Sequence, residues 1–152
     1  MIDRKYIGHT MPPFKVAVEA GRLRFFAKAT GQTDPVYSQD EAARAAGHPG
    51  LPVPPTFLFC LEMESPDPAA IRNLLGLDYK RLLHGEQGFT YHRMAHAGDV
   101  LSFEQRIEDI YDKKGGALEF VVRKTRVSNQ RGEHVAELRG VTVMRQPEKE
   151  SA

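Results

Sequence analysis

The chain has 152 residues, 41% of them hydrophobic and 27% charged, and its 21 basic and 20 acidic side chains leave a formal net charge of +1. That balance suits one globular domain with a core of its own, and it points to neither nucleic acid nor an anionic membrane as the main partner. No apolar run approaches the ~20 residues of a membrane span. Met1 to Lys5 leads into no signal-peptide core, so a cytoplasmic protein is expected. The single cysteine, Cys60, rules out an internal disulfide, and its apolar neighbours mark it as a small core residue rather than a nucleophile.

Residues 1–10 read as a loose entry segment. From Pro12 to Glu19, Phe14, Val16 and Val18 alternate onto one face, which predicts a strand broken at Gly21-Arg22. Leu23, Phe26, Ala27 and Thr30 then recur at helical spacing, and Gly31 ends that helix. Ser38-Gln39-Asp40-Glu41 has the form of a capping box for a helix from Asp40 to Ala46, closed by Gly47. A Gly/Pro-rich turn, Gly47 to Pro55, leads into the apolar run Phe57-Leu58-Phe59-Cys60-Leu61. Periodicity alone leaves that run as a buried strand or a buried helix. Pro54-Pro55-Thr56 favours a helix, with Thr56 as its N-cap. Ser65 to Asp78 reads as irregular, with one helical turn around Ile71 to Leu75.

Four strand-like runs follow, at Gly85 to Met94, Val100 to Tyr111, Leu118 to Val127 and His134 to Met144. Turn signals separate them at His96-Ala97-Gly98-Asp99, Asp112 to Gly116 and Asn129 to Gly132, which predicts consecutive antiparallel hairpins. One strand, a helix-bearing excursion and four meandering strands make an α+β domain. An apolar helix beside a curved sheet can be buried only in its concavity, and that is the layout of a hotdog fold. One such domain is expected over residues 1–146, with a disordered charged tail at 147–152. Its sheet would leave an edge strand to be covered, so self-association or a related partner is expected.

Four stretches in combination resemble the MaoC-like dehydratases, the group containing (R)-specific enoyl-thioester hydratases, and especially their N-terminal, dehydratase-like half. They are Phe25 to Gly31, Asp34-Pro35-Val36-Tyr37, Pro54-Pro55-Thr56-Phe57, and Leu83-His84-Gly85-Glu86-Gln87 with Ala97-Gly98-Asp99 beyond. In active members, the resemblance implies, a loop of the form S/T-G-D-x-N-P-x-H supplies an Asp and a His. These activate a water that adds across the double bond of an enoyl thioester, or run the reverse dehydration. Backbone N–H groups at the start of the central helix would receive the thioester oxygen, and the candidate substrate-binding residues are Gly31, Pro55, Thr56 and Phe57. Laid onto the motif, Thr30, Gly31 and Pro35 match, and Asp34 takes the Asn position. Gln32 stands at the catalytic Asp position and Tyr37 at the catalytic His position. Gln does not titrate, and a free Tyr has a pKa near ~10, so the usual proton-transfer pair is missing. The resemblance then implies a degenerate, acyl-binding half whose partner is a catalytic MaoC-like subunit.

Each candidate has a plainer reading. Asp34 is a catalytic acid or a turn residue before proline; Gln32 and Tyr37 line the acyl site or hold the loop. Glu62, at the end of the apolar helix, is expected on its wet end. His84, His92 and His96 are too scattered for a metal site, and no cofactor is implied. His92 and Arg93 are expected on opposite faces of a strand. Lys113, Lys114, Arg123, Lys124 and Arg126 form either a nucleotide-binding patch or a solvated sheet face. The first expectation is a subunit of an (R)-specific enoyl-CoA or enoyl-ACP hydratase, a homodimer or a heterodimer, that takes an acyl-CoA or acyl carrier protein thioester. The alternatives are a hotdog acyl-CoA thioesterase using Glu62 or Asp34, and a non-enzymatic acyl-CoA-binding module.

Overall fold

A computed structural model describes residues 1–147 of the chain; apart from Pro147, the expected tail lies outside the described residues. In order, the elements are β1 (Phe14–Ala17), α1 (Ala20–Ala29), α2 (Asp40–Ala45), α3 (Phe57–Glu62), α4 (Ala70–Leu74), β2 (Leu82–Tyr91), β3 (Val100–Lys113), β4 (Leu118–Ser128) and β5 (His134–Arg145). The strands form one antiparallel sheet in the order β1-β3-β4-β5-β2. The fold is a hotdog: the short apolar α3 lies in the concavity of the sheet.

Alternation within the strands places the core. Leu101, Phe103 and Ile107 of β3 are fully buried, and a bulge between Ile107 and Asp109 resets the register so that Ile110 also faces inward. Two apolar clusters result. One gathers Phe57, Leu58 and Leu61 of α3 with Leu101, Phe103, Val127 and Leu138. The other joins Ile2, Leu75 and Leu77 to Ile107, Ile110, Val121 and Met144.

The expected run of consecutive hairpins is corrected at its first step. β3, β4 and β5 do form a meander, but β2 pairs with β5 at the far edge, not with β3. The segment between β2 and β3 therefore crosses the sheet, and its backbone groups need partners. They find them in the Gly/Pro-rich turn, where Val53 N donates to Ala95 O and Ala97 N to Leu51 O, both at 2.8 Å. The entry segment is corrected as well. Ile2 is buried, its amide donates to Glu119 Oε1 at 2.6 Å, and Gly8 N donates to Ile107 O at 2.8 Å. Residues 8–11 extend the pairing along the outer edge of β3, beyond the reach of the four-residue β1.

Two helix starts also differ from expectation. Gln39, not Ser38, occupies the N-cap of α2 and makes no side-chain cap bond, so the capping box does not form. Ser38 instead presents its carbonyl to Arg24, whose guanidinium also pairs with Asp40 at 2.5 Å. Thr56 does stand at the N-cap of α3, but in the left-handed region (φ 73°) and without a side-chain bond to the helix.

A histidine pair joins the crossing segment to the Gly/Pro-rich turn. His48 Nδ1 and His96 Nε2 lie 3.0 Å apart and share one hydrogen bond, and Asp99 holds the His96 amide. Burial and then the neighbouring His48 lower the His96 pKa from its ordinary 6.5, against the opposing pull of Asp99. A histidine depressed in the fold binds its proton more readily once unfolded. Its stabilising contribution is therefore intact above about pH 6.5 and lost as pH falls through the lower folded value. Chemical denaturation is expected to show stability dropping across that window, and His96→Asn is expected to flatten the drop.

Candidate functional site

The loop from Thr30 to Ser38 is built by its own side chains. Gly31 (φ 70°) ends α1 in a Schellman motif, with Gln32 N donating to Ala27 O at 2.9 Å and Gly31 N to Lys28 O at 3.2 Å. Gln32 Oε1 then accepts from Asp34 N at 3.1 Å, and Asp34 Oδ1 accepts from Val36 N at 3.0 Å, capping the short 3-10 turn Pro35–Tyr37. Both side chains are exposed and turned onto backbone, not toward a common point. Tyr37, half-buried, is brought to a pocket of about 380 Å³ at the end of β2, beside Pro55, Tyr91 and Met94. The structure thus joins Tyr37 to Pro55 and leaves Gln32 and Asp34 outside that pocket.

At the start of α3, Thr56 N donates to the Tyr91 hydroxyl at 2.9 Å. Phe57 N donates to Pro54 O at 3.1 Å, and the Phe57 side chain, 3% exposed, packs against Phe26 in the core with Arg22 over its ring. The Thr56 N–H that would meet a thioester oxygen is therefore already engaged by the chain's own tyrosine. Tyr91 is the site residue that sequence reasoning passed over. Its one signal is a phenol at the end of a strand, next to a pocket it can cap.

Glu62 corrects its expectation. It is 5% exposed, and its Oε1 accepts from Thr125 Oγ1 at 2.5 Å and Gln105 Nε2 at 2.9 Å. Gln105 and Thr125 face each other directly across β3 and β4, so the pair forms a ready-made donor site. α3 is short enough to end over it, and the next two residues, Met63 and Glu64, are the exposed ones.

The remaining candidates disperse. His92 and Arg93 lie past the end of β2, where both amides donate to Val135 O, so they do not alternate as strand residues. Among the described residues no cluster of three metal-ligating side chains exists, and no helix is long and apolar enough to cross a membrane. The five basic residues do not share a patch. Lys124 pairs with Glu137 at 2.9 Å, Lys113 lies over the Tyr111 and Phe120 rings, and Arg123 enters the groove beside α3 and α4. Cys60 is partly buried against the first cluster.

A family model described as the FAS1-like, dehydratase domain region matches residues 5–138. The chain belongs to this family of MaoC-like dehydratases. A curated relative, the UPF0336 protein of Streptomyces coelicolor, is 38% identical over 136 residues, spanning 88% of this chain and 89% of that one. Two solved MaoC-like folds superpose closely. The truncated HadBC complex, a 3R-hydroxyacyl-ACP dehydratase of Mycobacterium tuberculosis, gives a TM-score of 0.77 at 24% identity, over 90% of this chain and 96% of that one. A protein described as a MaoC-like dehydratase gives 0.82 at 22% identity, over 93% of this chain but 42% of its own length. The MaoC-like chain described here thus has the extent of one hotdog unit within that longer protein.

The Glu62 arrangement yields a stability prediction. Glu62→Ala strands the buried Thr125 hydroxyl and the Gln105 amide without their acceptor, and is expected to cost about 3 kcal/mol in urea unfolding. Glu62→Gln keeps an acceptor oxygen and is expected to cost about half as much.

Proposed function

We propose that this chain is the acyl-binding half of an (R)-specific enoyl-thioester hydratase/dehydratase, and that a second, catalytic MaoC-like subunit supplies the proton-transfer pair. The observation that carries this reading is the loop Gly31 to Tyr37. Gln32 and Tyr37 stand where the resemblance calls for a titrating pair, and the side chains of Gln32 and Asp34 are committed to the loop's own backbone. A positioned acid–base group is worth about 10²–10⁴ in rate, so its loss leaves a chain that binds but hardly turns over. The engagement of Thr56 N–H by Tyr91 agrees, because it occupies the donor expected to stabilise enolate charge.

The free edge of the sheet supports a partner. β2 runs for ten residues along the edge and presents the exposed Leu83 and Tyr91 there, so pairing would cover both its backbone groups and its apolar side chains. The HadBC dehydratase is itself a complex of two subunits. Within the pair, Tyr37, Pro55 and Thr56 would line the acyl-thioester path from this side, while Asp34 would hold the loop. Thioester hydrolysis by Glu62 has less support. Its carboxylate borders a cavity of only about 40 Å³, well below the ~300 Å³ at which ligand pockets begin.

Hydration of crotonyl-CoA, followed by loss of enoyl absorbance, tests the proposal. A mixture with a catalytic MaoC-like subunit is expected to exceed that subunit alone, and Asp34→Asn in this chain is expected to leave the mixed rate unchanged. A mixture no faster than the catalytic subunit would contradict the pairing.

A further inference from the structure

A polar belt crosses the concave face between the two apolar clusters. Gln105 and Thr125 with Glu62 form one end of it. The other end is a row of direct cross-strand neighbours: Arg123 on β4, Gly140 on β5 and Gln87 on β2. Gly140 matters here for its missing side chain, since a Cβ would come within 2.8 Å of Arg123 Nη2 and 3.4 Å of Gln87 Oε1. The guanidinium therefore lies across the sheet in the gap that glycine leaves.

This guanidinium is unusual for its surroundings. Arg123 Nε and Gln87 Oε1 are buried, and among the described residues neither has a hydrogen-bond partner. Lys124 beside it is matched to Glu137, and Arg139 one strand away is matched to Glu86 at 2.6 Å. Glu62 approaches the same small cavity, but no ion pair joins it to Arg123 among the described residues, and its Oε1 already takes two donors. Buried polar groups are normally satisfied, and a guanidinium is matched best by a carboxylate, which accepts two parallel N–H bonds.

Arg123 also lines a groove of about 610 Å³ between the α3–α4 segment and the β2 edge. Its walls are mostly apolar, with Phe59, Ile71, Leu77 and Leu82 inside and Tyr79 (75% exposed) and Leu83 (52% exposed) at the mouth. Exposed apolar side chains gathered around one groove mark a binding surface. A cation set among apolar walls selects an amphipathic anion.

We infer that this groove binds a free fatty acid, with its carboxylate on Arg123 and its alkyl chain along Phe59, Leu77, Leu82 and Leu83. The groove shares no lining residue with the pocket that holds Tyr37 and Tyr91. A titration of the chain alone, with its β2 edge uncovered, therefore has an outcome distinct from that of the proposed hydratase role. Calorimetric titration of the full chain with decanoate, below its micelle threshold, and with 1-decanol provides the test. Decanoate is expected to bind saturably at one site. Arg123→Met is expected to weaken it about tenfold or more. Decanol is expected to bind more weakly, and equally to both proteins, which shows that the groove of the variant is still formed. The inference is overturned by the absence of saturable decanoate binding, by equal affinity for acid and alcohol, or by an Arg123→Met variant that binds decanoate like the unaltered chain.

Discussion

The placement of α3 depends on one carboxylate. Six residues are too few for a helix to hold itself, since isolated helices shorter than about 12–15 residues are marginal in water. Burial of Phe57, Leu58 and Leu61 provides most of the hold, at about 1.5–3 kcal/mol for each side chain. Apolar packing has little directionality, however, and would tolerate small slides along the sheet. Glu62 adds direction, because its Oε1 takes donors from two facing strands and so ties the helix end to one point on the sheet. The start of the helix is fixed separately, by the left-handed Thr56 and the Tyr91 hydroxyl.

With α3 fixed at both ends, two recesses follow. At its start lies the pocket with Tyr37 and Pro55; beyond its end lies the groove that reaches Arg123. The MaoC-like scaffold is preserved, and in the proposed reading the loop after α1 serves structure in place of proton transfer. Its polar side chains serve the loop's own geometry, and the helix-start N–H is closed by the chain's own phenol. In that reading the domain offers its recesses and its β2 edge, and the base comes from the partner.

Much of the fold was legible in the sequence because it rests on local periodicity. Phe14 and Val16, and Leu101 and Phe103, announce their strands by alternation, and Gly31 announces the end of α1. The pairing of β2 with β5 was not legible, because strand order is settled by burial across the whole sheet and turn residues mark only where strands stop. Glu62 was misplaced for a related reason. Its donors Gln105 and Thr125 sit 43 and 63 residues away and become neighbours only through the register of β3 with β4. The capping box at Ser38 failed because Arg24, from α1, draws both the Ser38 carbonyl and the Asp40 carboxylate into its own contacts. In the candidate site, Gln32 and Tyr37 could be set residue by residue against the motif that the resemblance implies. The closing of Thr56 N–H by Tyr91 required the fold, since 35 residues separate them.

In the proposed reading this chain carries acyl-binding surfaces without a working proton-transfer pair. The most direct measurement is a single-turnover assay, with the purified chain in excess over crotonyl-CoA and the conversion to 3-hydroxybutyryl-CoA followed by mass. Conversion no faster than in buffer is expected. Conversion that the chain accelerates by itself, and that Tyr37→Phe or Asp34→Asn abolishes, would contradict it and place a working acid–base group in the loop.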